Sequence, residues 1–125
     1  MAKGENMPVN ADIYLRLSKE DGDKDESDSI ANQRSLIMDF VNSVPDIRVH
    51  KVRIDDGYSG VDFNRPAFIE MMEDIKAGTV NCVIVKDFSR FGRNYIEAGR
   101  YIQILFPGIG VRFIAVNDCV IIGLS

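Results

Sequence analysis

At 125 residues, 46% of them apolar, the chain is one domain's worth of sequence with enough apolar surface for a single core. It has no run of 18 apolar residues and no apolar leader in MAKGENMPVN, which argues against a membrane span and a secretory signal. The net charge of −4 argues at face value against a nucleic-acid partner, yet the stretch 20–28 (EDGDKDESD) holds six acids and one lysine, and the rest of the chain is slightly positive, so global charge excludes no partner class.

In chain order, residues 11–18 alternate, with Ile13, Leu15 and Leu17 on one side and Tyr14, Arg16 and Ser18 on the other, which is a strand period. The acidic run that follows reads as a solvated, flexible loop, because nothing in it buries apolar area to offset its ordering entropy. Asp28 or Ser29 can cap a helix carrying Ile30, Leu36, Ile37, Phe40 and Val41, which stops near Pro45. VHKVRI (residues 49–54) reads as a second strand, followed by the turn-rich DDGYSG. Pro66 opens a second helix with Phe68, Ile69, Met72 and Ile75 on one face and Gly78 as its stop. Residues 80–85 form a third strand, Tyr95 to Leu105 a third helix, and VRFIAV (residues 111–116) a fourth strand.

Strands alternating with helices imply an α/β fold: a mainly parallel four-stranded sheet, order 2-1-3-4, with helices on both faces. Three segments follow: a disordered N-terminus (1–10), a domain (11–118) and an apolar tail (119–125). The tail CVIIGLS, with no helix after it, reads as a truncated or out-of-frame end that promotes non-native self-association. Cys82 and Cys119 lie in apolar segments without CxxC spacing and read as two buried thiols in a reducing cytosol. His50 is alone, which leaves a His-based metal site or a Ser-His-Asp triad little to draw on.

Unusual residues gather at the carboxyl ends of the strands, where open parallel sheets bind ligands. Ser18 ends the first strand and Lys86-Asp87 the third, so the order 2-1-3-4 sets Ser18 opposite the segment KDFSRFGRN. Arg16 stands in an internal strand, where a guanidinium needs an anionic partner: Asp87, Asp56 or a ligand phosphate. Arg90 and Arg93, read as sharing one face of a helical turn, tip the reading toward a phosphate-like oxyanion.

Three motifs in order, Tyr14-Leu-Arg16-Leu-Ser18, then Tyr58-Ser59-Gly60 with Asn64-Arg65-Pro66, then Ser89-Arg90-Phe91-Gly92-Arg93, resemble the catalytic domain of serine site-specific recombinases. The family comprises resolvases, invertases and large serine integrases and transposases, and the wording KDFSRFGRN is most similar to the large recombinases of Gram-positive mobile elements. The resemblance implies Ser18 as nucleophile and Arg16, Arg65, Arg90 and Arg93 as phosphate-binding catalytic residues, with Tyr14, Gln33, Asp87 and Ser89 bordering the substrate. Many members carry Asp where this chain has Ser89, and Asp87 stands close enough in sequence to cover for it. It further implies double-stranded DNA as partner, dimers and a tetrameric synapse, and cleavage and rejoining through a 5′-phosphoserine link without metal or nucleotide cofactor. The family's long dimerising helix, which leads into its DNA-binding part, has no counterpart in these residues, so this chain alone is expected to cut nothing and to bind duplex feebly. Two other readings stand beside it. A phosphate-binding α/β module such as a receiver wants acids closing the first strand, where this chain has Arg16 and Ser18; a recombinase fragment acting only in folding and association would bind or cut no DNA.

Overall fold

The computed structural model describes residues 9–17, 29–59 and 63–122. Five strands form one sheet in the order β2-β1-β3-β4-β5. They are β1 (Val9–Leu17), β2 (Ile47–Asp56), β3 (Cys82–Val85), β4 (Arg112–Ala115) and β5 (Val120–Ile122). The first four pair in parallel, as the alternation of strands and helices requires. The α/β fold and the order of these four strands agree with the sequence reading.

The edge differs from the expectation of four strands. Val120, Ile121 and Ile122 pair antiparallel with Ala115, Ile114 and Phe113, so the apolar tail is partly a fifth strand. The chain reverses through Cys119, whose φ of 55° is the sharp point of the turn. Three residues are too few to show a period in sequence. Cys119 is exposed on that turn, contrary to the expectation of two buried thiols, whereas Cys82 is buried. At the other end β1 begins at Val9, so the stretch expected to be disordered gives up residues 9 and 10 to the sheet. There the Asn10 amide donates to Asn81 Oδ1 at 2.7 Å. The acidic run 20–28 and residues 1–8 lie outside the described residues.

Helices cover both faces. α1 (Ile30–Asn42) is capped by Ser29, whose side chain accepts the Asn32 amide at 3.1 Å. It packs Ile37 and Val41 on Ala11, Ile13, Leu15, Cys82, Ile84 and Ile114. On the opposite face α2 (Pro66–Lys76) buries Phe68, Met71, Met72 and Ile75 against Tyr14, Val83, Val85, Phe113 and Ala115. All four residues of β3 are therefore buried, split alternately between the two cores, as an internal parallel strand demands. Gly78 follows α2 at φ +84°, the left-handed stop its position suggested.

The stretch expected as one helix, Tyr95 to Leu105, is two pieces, α4 (Tyr95–Gly99) and a π-helical run (Arg100–Leu105), and a short α5 (Phe106–Gly108) continues past its expected end. Ala98, Ile102 and Phe106 are all buried, and their strict four-residue spacing overshoots the 3.6-residue period. A wider turn absorbs the difference and keeps the three on one face. Between β3 and α4 lies a single helical turn, α3 (Phe88–Phe91), two residues earlier than the turn read over Arg90 to Arg93.

Candidate active site

The carboxyl ends of β1, β2 and β3 meet at α3. A four-residue helix leaves its last carbonyls without intrahelical partners. Two fully buried arginines meet them. Arg16 of β1 donates from Nε to the Arg90 carbonyl at 3.1 Å and from NH2 to the Ser89 carbonyl at 2.5 Å. Its NH1 reaches the Tyr58 carbonyl at 3.0 Å. Arg65 donates from NH2 to the Phe91 carbonyl at 2.7 Å. Cationic groups at the negative end of a helix are in the favourable place, more so when buried. The sequence offered Arg16 a carboxylate or a phosphate; these three donors meet carbonyl dipoles.

Arg65 belongs to a second chain of contacts. Its NH1 donates to the Tyr14 hydroxyl at 2.9 Å, and that hydroxyl donates to Asp55 Oδ2 at 2.7 Å. Asp55 also accepts the Ala67 and Phe68 amides at 2.9 and 3.0 Å, holding the first turn of α2. The guanidinium lies 4.6 Å over the Phe63 ring and 5.1 Å over the Phe68 ring. Burial, reinforced by the Asp55 carboxylate and opposed by Arg65, holds the Tyr14 phenol well above its ordinary ionisation range. Asp55 was not singled out in the sequence; its place at a strand end ahead of a Pro-initiated helix was the available signal.

Arg90 and Gln33 converge on one atom. The Arg16 carbonyl accepts Arg90 NH1 at 2.9 Å and Gln33 Nε2 at 3.0 Å. Gln33 Oε1 in turn accepts the Arg16 amide at 3.4 Å. Pairing of β1 with β3 ends at Ile13 and Ile84, and beyond that point the Gln33 carboxamide satisfies the Arg16 backbone groups a neighbouring strand would otherwise take. Arg16 is two residues before Ser18; Ser18 itself lies outside the described residues. Asp87 caps α3, and its Oδ1 accepts the Arg90 amide at 3.2 Å and the Ser89 hydroxyl at 2.6 Å.

Arg93 departs from expectation. α3 ends at Phe91, and Gly92 is extended, with φ −177° and ψ 143°. Arg90 and Arg93 therefore do not share a helical face: Arg90 is buried and Arg93 exposed. The helical spacing failed because the glycine between them leaves the helix. The structure thus brings Tyr14, Arg16, Gln33, Arg65, Asp87, Ser89 and Arg90 together around α3.

A separate polar cluster sits under β1. Asp12, fully buried, bonds His50 Nδ1 at 3.0 Å and Arg53 Nε at 2.7 Å, and Arg53 NH2 pairs with Asp74. Asp12, His50 and Asp74 lie within 4.8 Å of one another, a spacing a metal could use. Arg53, bonded to both carboxylates, already supplies the positive charge a cation would bring. His50 stands where β2 carries an extra residue opposite Ala11 and Asp12. Burial pushes the Cys82 thiol up to about 12, which leaves it mostly un-ionised and a poor nucleophile at neutral pH. No helix of the described residues is long and apolar enough to cross a membrane.

The family profile described as resolvase, N terminal domain, matches residues 11–121. The fold is similar to a resolvase family site-specific recombinase from Streptococcus pneumoniae, at 30% identity and a TM-score of 0.75 over 94% of this chain and 78% of that one. It is also similar to the N-terminal catalytic domain of TP901-1 integrase, at 22% identity and a TM-score of 0.80 over 93% of this chain and 83% of that one. A serine recombinase from Sulfolobus solfataricus matches at 21% identity and a TM-score of 0.67 over 87% of this chain and 69% of that one. The chain belongs to the resolvase family and carries a serine recombinase catalytic domain.

Proposed function

We propose that this domain cuts and rejoins double-stranded DNA with Ser18 as nucleophile. The Ser18 oxygen attacks the scissile phosphorus, the 3′ oxygen leaves with a proton, and a 5′-phosphoserine link preserves the bond energy for the reverse step. Such phosphoryl transfer needs positioning and charge neutralisation above all. The observation that supports this reading is the convergence of Arg90 and Gln33 on the Arg16 carbonyl, which holds the peptide leading to Ser18. Arg93, beyond Gly92, is the exposed one of the four site arginines and the one that would meet a phosphate from solvent, while Arg16 and Arg65 hold α3 in place. Relatives described as an integrase and a site-specific recombinase support DNA recombination on mobile elements as its setting. The motif resemblance implies dimers and a tetrameric synapse as the working assembly.

One observation favours the second reading, a fold-and-associate module that does not cut. Arg16 and Arg65 are fully buried and turned onto backbone carbonyls. One experiment separates the two. This chain and the longest product of its gene are each incubated, with chelator present, with duplex carrying the element's own junction. Covalent protein–DNA product that disappears in Ser18→Ala supports the cutting role. Product from the longer protein alone assigns this chain the association role, and product that survives Ser18→Ala removes the nucleophile.

A further inference from the structure

Arg90 is a buried cation paired with Asp87, whose carboxylate stands 3.8 Å from its Nε, longer than a hydrogen bond. The gap is filled by one atom. Ser89 Oγ donates to Asp87 Oδ1 at 2.6 Å and lies 3.4 Å from both Nε and NH2 of Arg90. A hydroxyl has one proton and two lone pairs. With the proton committed to the carboxylate, the lone pairs face the guanidinium, and the charge of Asp87 polarises the group that accepts from Arg90. Asp87 is itself fixed, because the same oxygen accepts the Arg90 amide at the start of α3. The result is a continuous chain: Asp87 carboxylate, Ser89 hydroxyl, Arg90 guanidinium, Arg16 carbonyl, and two residues later Ser18.

We infer that Ser89 is a positioning residue for the cutting step, carrying the charge of Asp87 to Arg90 and fixing the plane of that guanidinium. The inference rests on the proposed recombinase function for its purpose, but the link itself is testable without DNA. Alanine removes both ends of the bridge and leaves Asp87 joined to the Arg90 guanidinium by their longer ion pair, without the hydrogen-bonded link. Threonine keeps the hydroxyl. A direct Asp87–Arg90 contact alone would make both changes harmless.

The test uses two readouts. The first is solvent exchange of the Arg90 Nε–H by nitrogen-15 nuclear magnetic resonance on the full chain without DNA. Ser89→Ala should speed it about tenfold, the size that loss of one hydrogen bond to a charged group implies, and Ser89→Thr should restore it. Asp87→Asn, which keeps the cap but not the charge, should speed it as well and serves if Ser89→Ala does not fold. The second is the single-turnover rate of covalent product on the junction duplex at saturating protein, which should fall about tenfold or more in Ser89→Ala and recover in Ser89→Thr. Parental exchange in Ser89→Ala, or Ser89→Thr as impaired as Ser89→Ala, overturns the link. If the parent forms no covalent product, the recombinase reading and the catalytic purpose of Ser89 fall together, while the exchange rates still decide the link between Ser89 and Arg90.

Discussion

Arg90 donates NH1 to the backbone carbonyl of Arg16 at 2.9 Å, tying the turn after β3 to the end of β1. A lysine there would keep the charge but not the fork that also reaches Ser89. Arg90→Lys should therefore fold, lose about 1.5–3 kcal/mol of stability, and form covalent product far more slowly than the parent. Urea denaturation and a single-turnover assay on the same preparation check both. Parental stability and rate together would show the fork to be idle.

Tyr14 links Asp55 to Arg65, so Tyr14→Phe leaves two buried charged groups each short of one partner. The expected cost is about 1–3 kcal/mol, read from the urea midpoint. The same phenol gives a pH signature. Its folded ionisation lies above the unfolded value of about 10. Tyr14 therefore contributes stability fully below pH about 10, and loses it as pH rises from there toward the folded value. The tyrosinate absorbance of the folded chain at pH 11 should fall short of that of the unfolded chain, and Tyr14→Phe should reduce the shortfall, the part due to Tyr101, also raised by burial, remaining.

Gly92 has no need of glycine for its backbone, since extended φ suits any residue; its constraint is space. A Cβ there would stand 2.6 Å from Phe63 Cζ. Phe63 is wedged among Phe68, Phe91 and Tyr101 at centroid distances of 4.8–5.6 Å, so its ring has little room to yield. Gly92→Ala should cost about 1–3 kcal/mol by overpacking. Adding Phe63→Leu should give back part of that loss, and a double-mutant cycle by thermal unfolding measures the coupling. Additive losses would place the cause elsewhere.

Arg53 lies between buried Asp12 and Asp74. Arg53→Met would leave Asp12 a buried carboxylate without its guanidinium, which costs about 3–5 kcal/mol. Asp74 adds an acid limb. Arg53 holds its carboxyl below the ordinary carboxylate range, so its contribution is present above the unfolded pKa and lost as pH falls through the folded one. The parent should lose stability on acidification through that window more steeply than Asp74→Asn does. Equal slopes would remove Asp74 from the acid response.

The sheet was legible in the residues because alternation and helical spacing mostly report burial: β1, β3 and β4 bury most of their apolar positions, whereas β2 leaves Ile54 exposed and buries Arg53 and Asp55 instead. What escaped was short or set by contact. β5 has three residues, and the bounds of α3, a single turn stabilised from outside by Arg16 and Arg65, lay two residues ahead of the turn read there. The site residues could be named from motifs, but not their partners. No local pattern says that Arg16 turns to carbonyls, that Asp55 reaches Tyr14, or that Gly92 separates Arg93 from the helical turn. These depend on which strand ends the topology brings together.

The central claim is that Ser18 carries the cut DNA. Its most direct test is mass spectrometry of protease-digested covalent product, formed in chelator by the longest product of the gene on junction duplex. The expected result is a peptide spanning Ser18 with a 5′-nucleotide joined through phosphate to the Ser18 oxygen. A nucleotide on any other residue, or broken DNA with a free 5′-phosphate and unmodified protein, would contradict it.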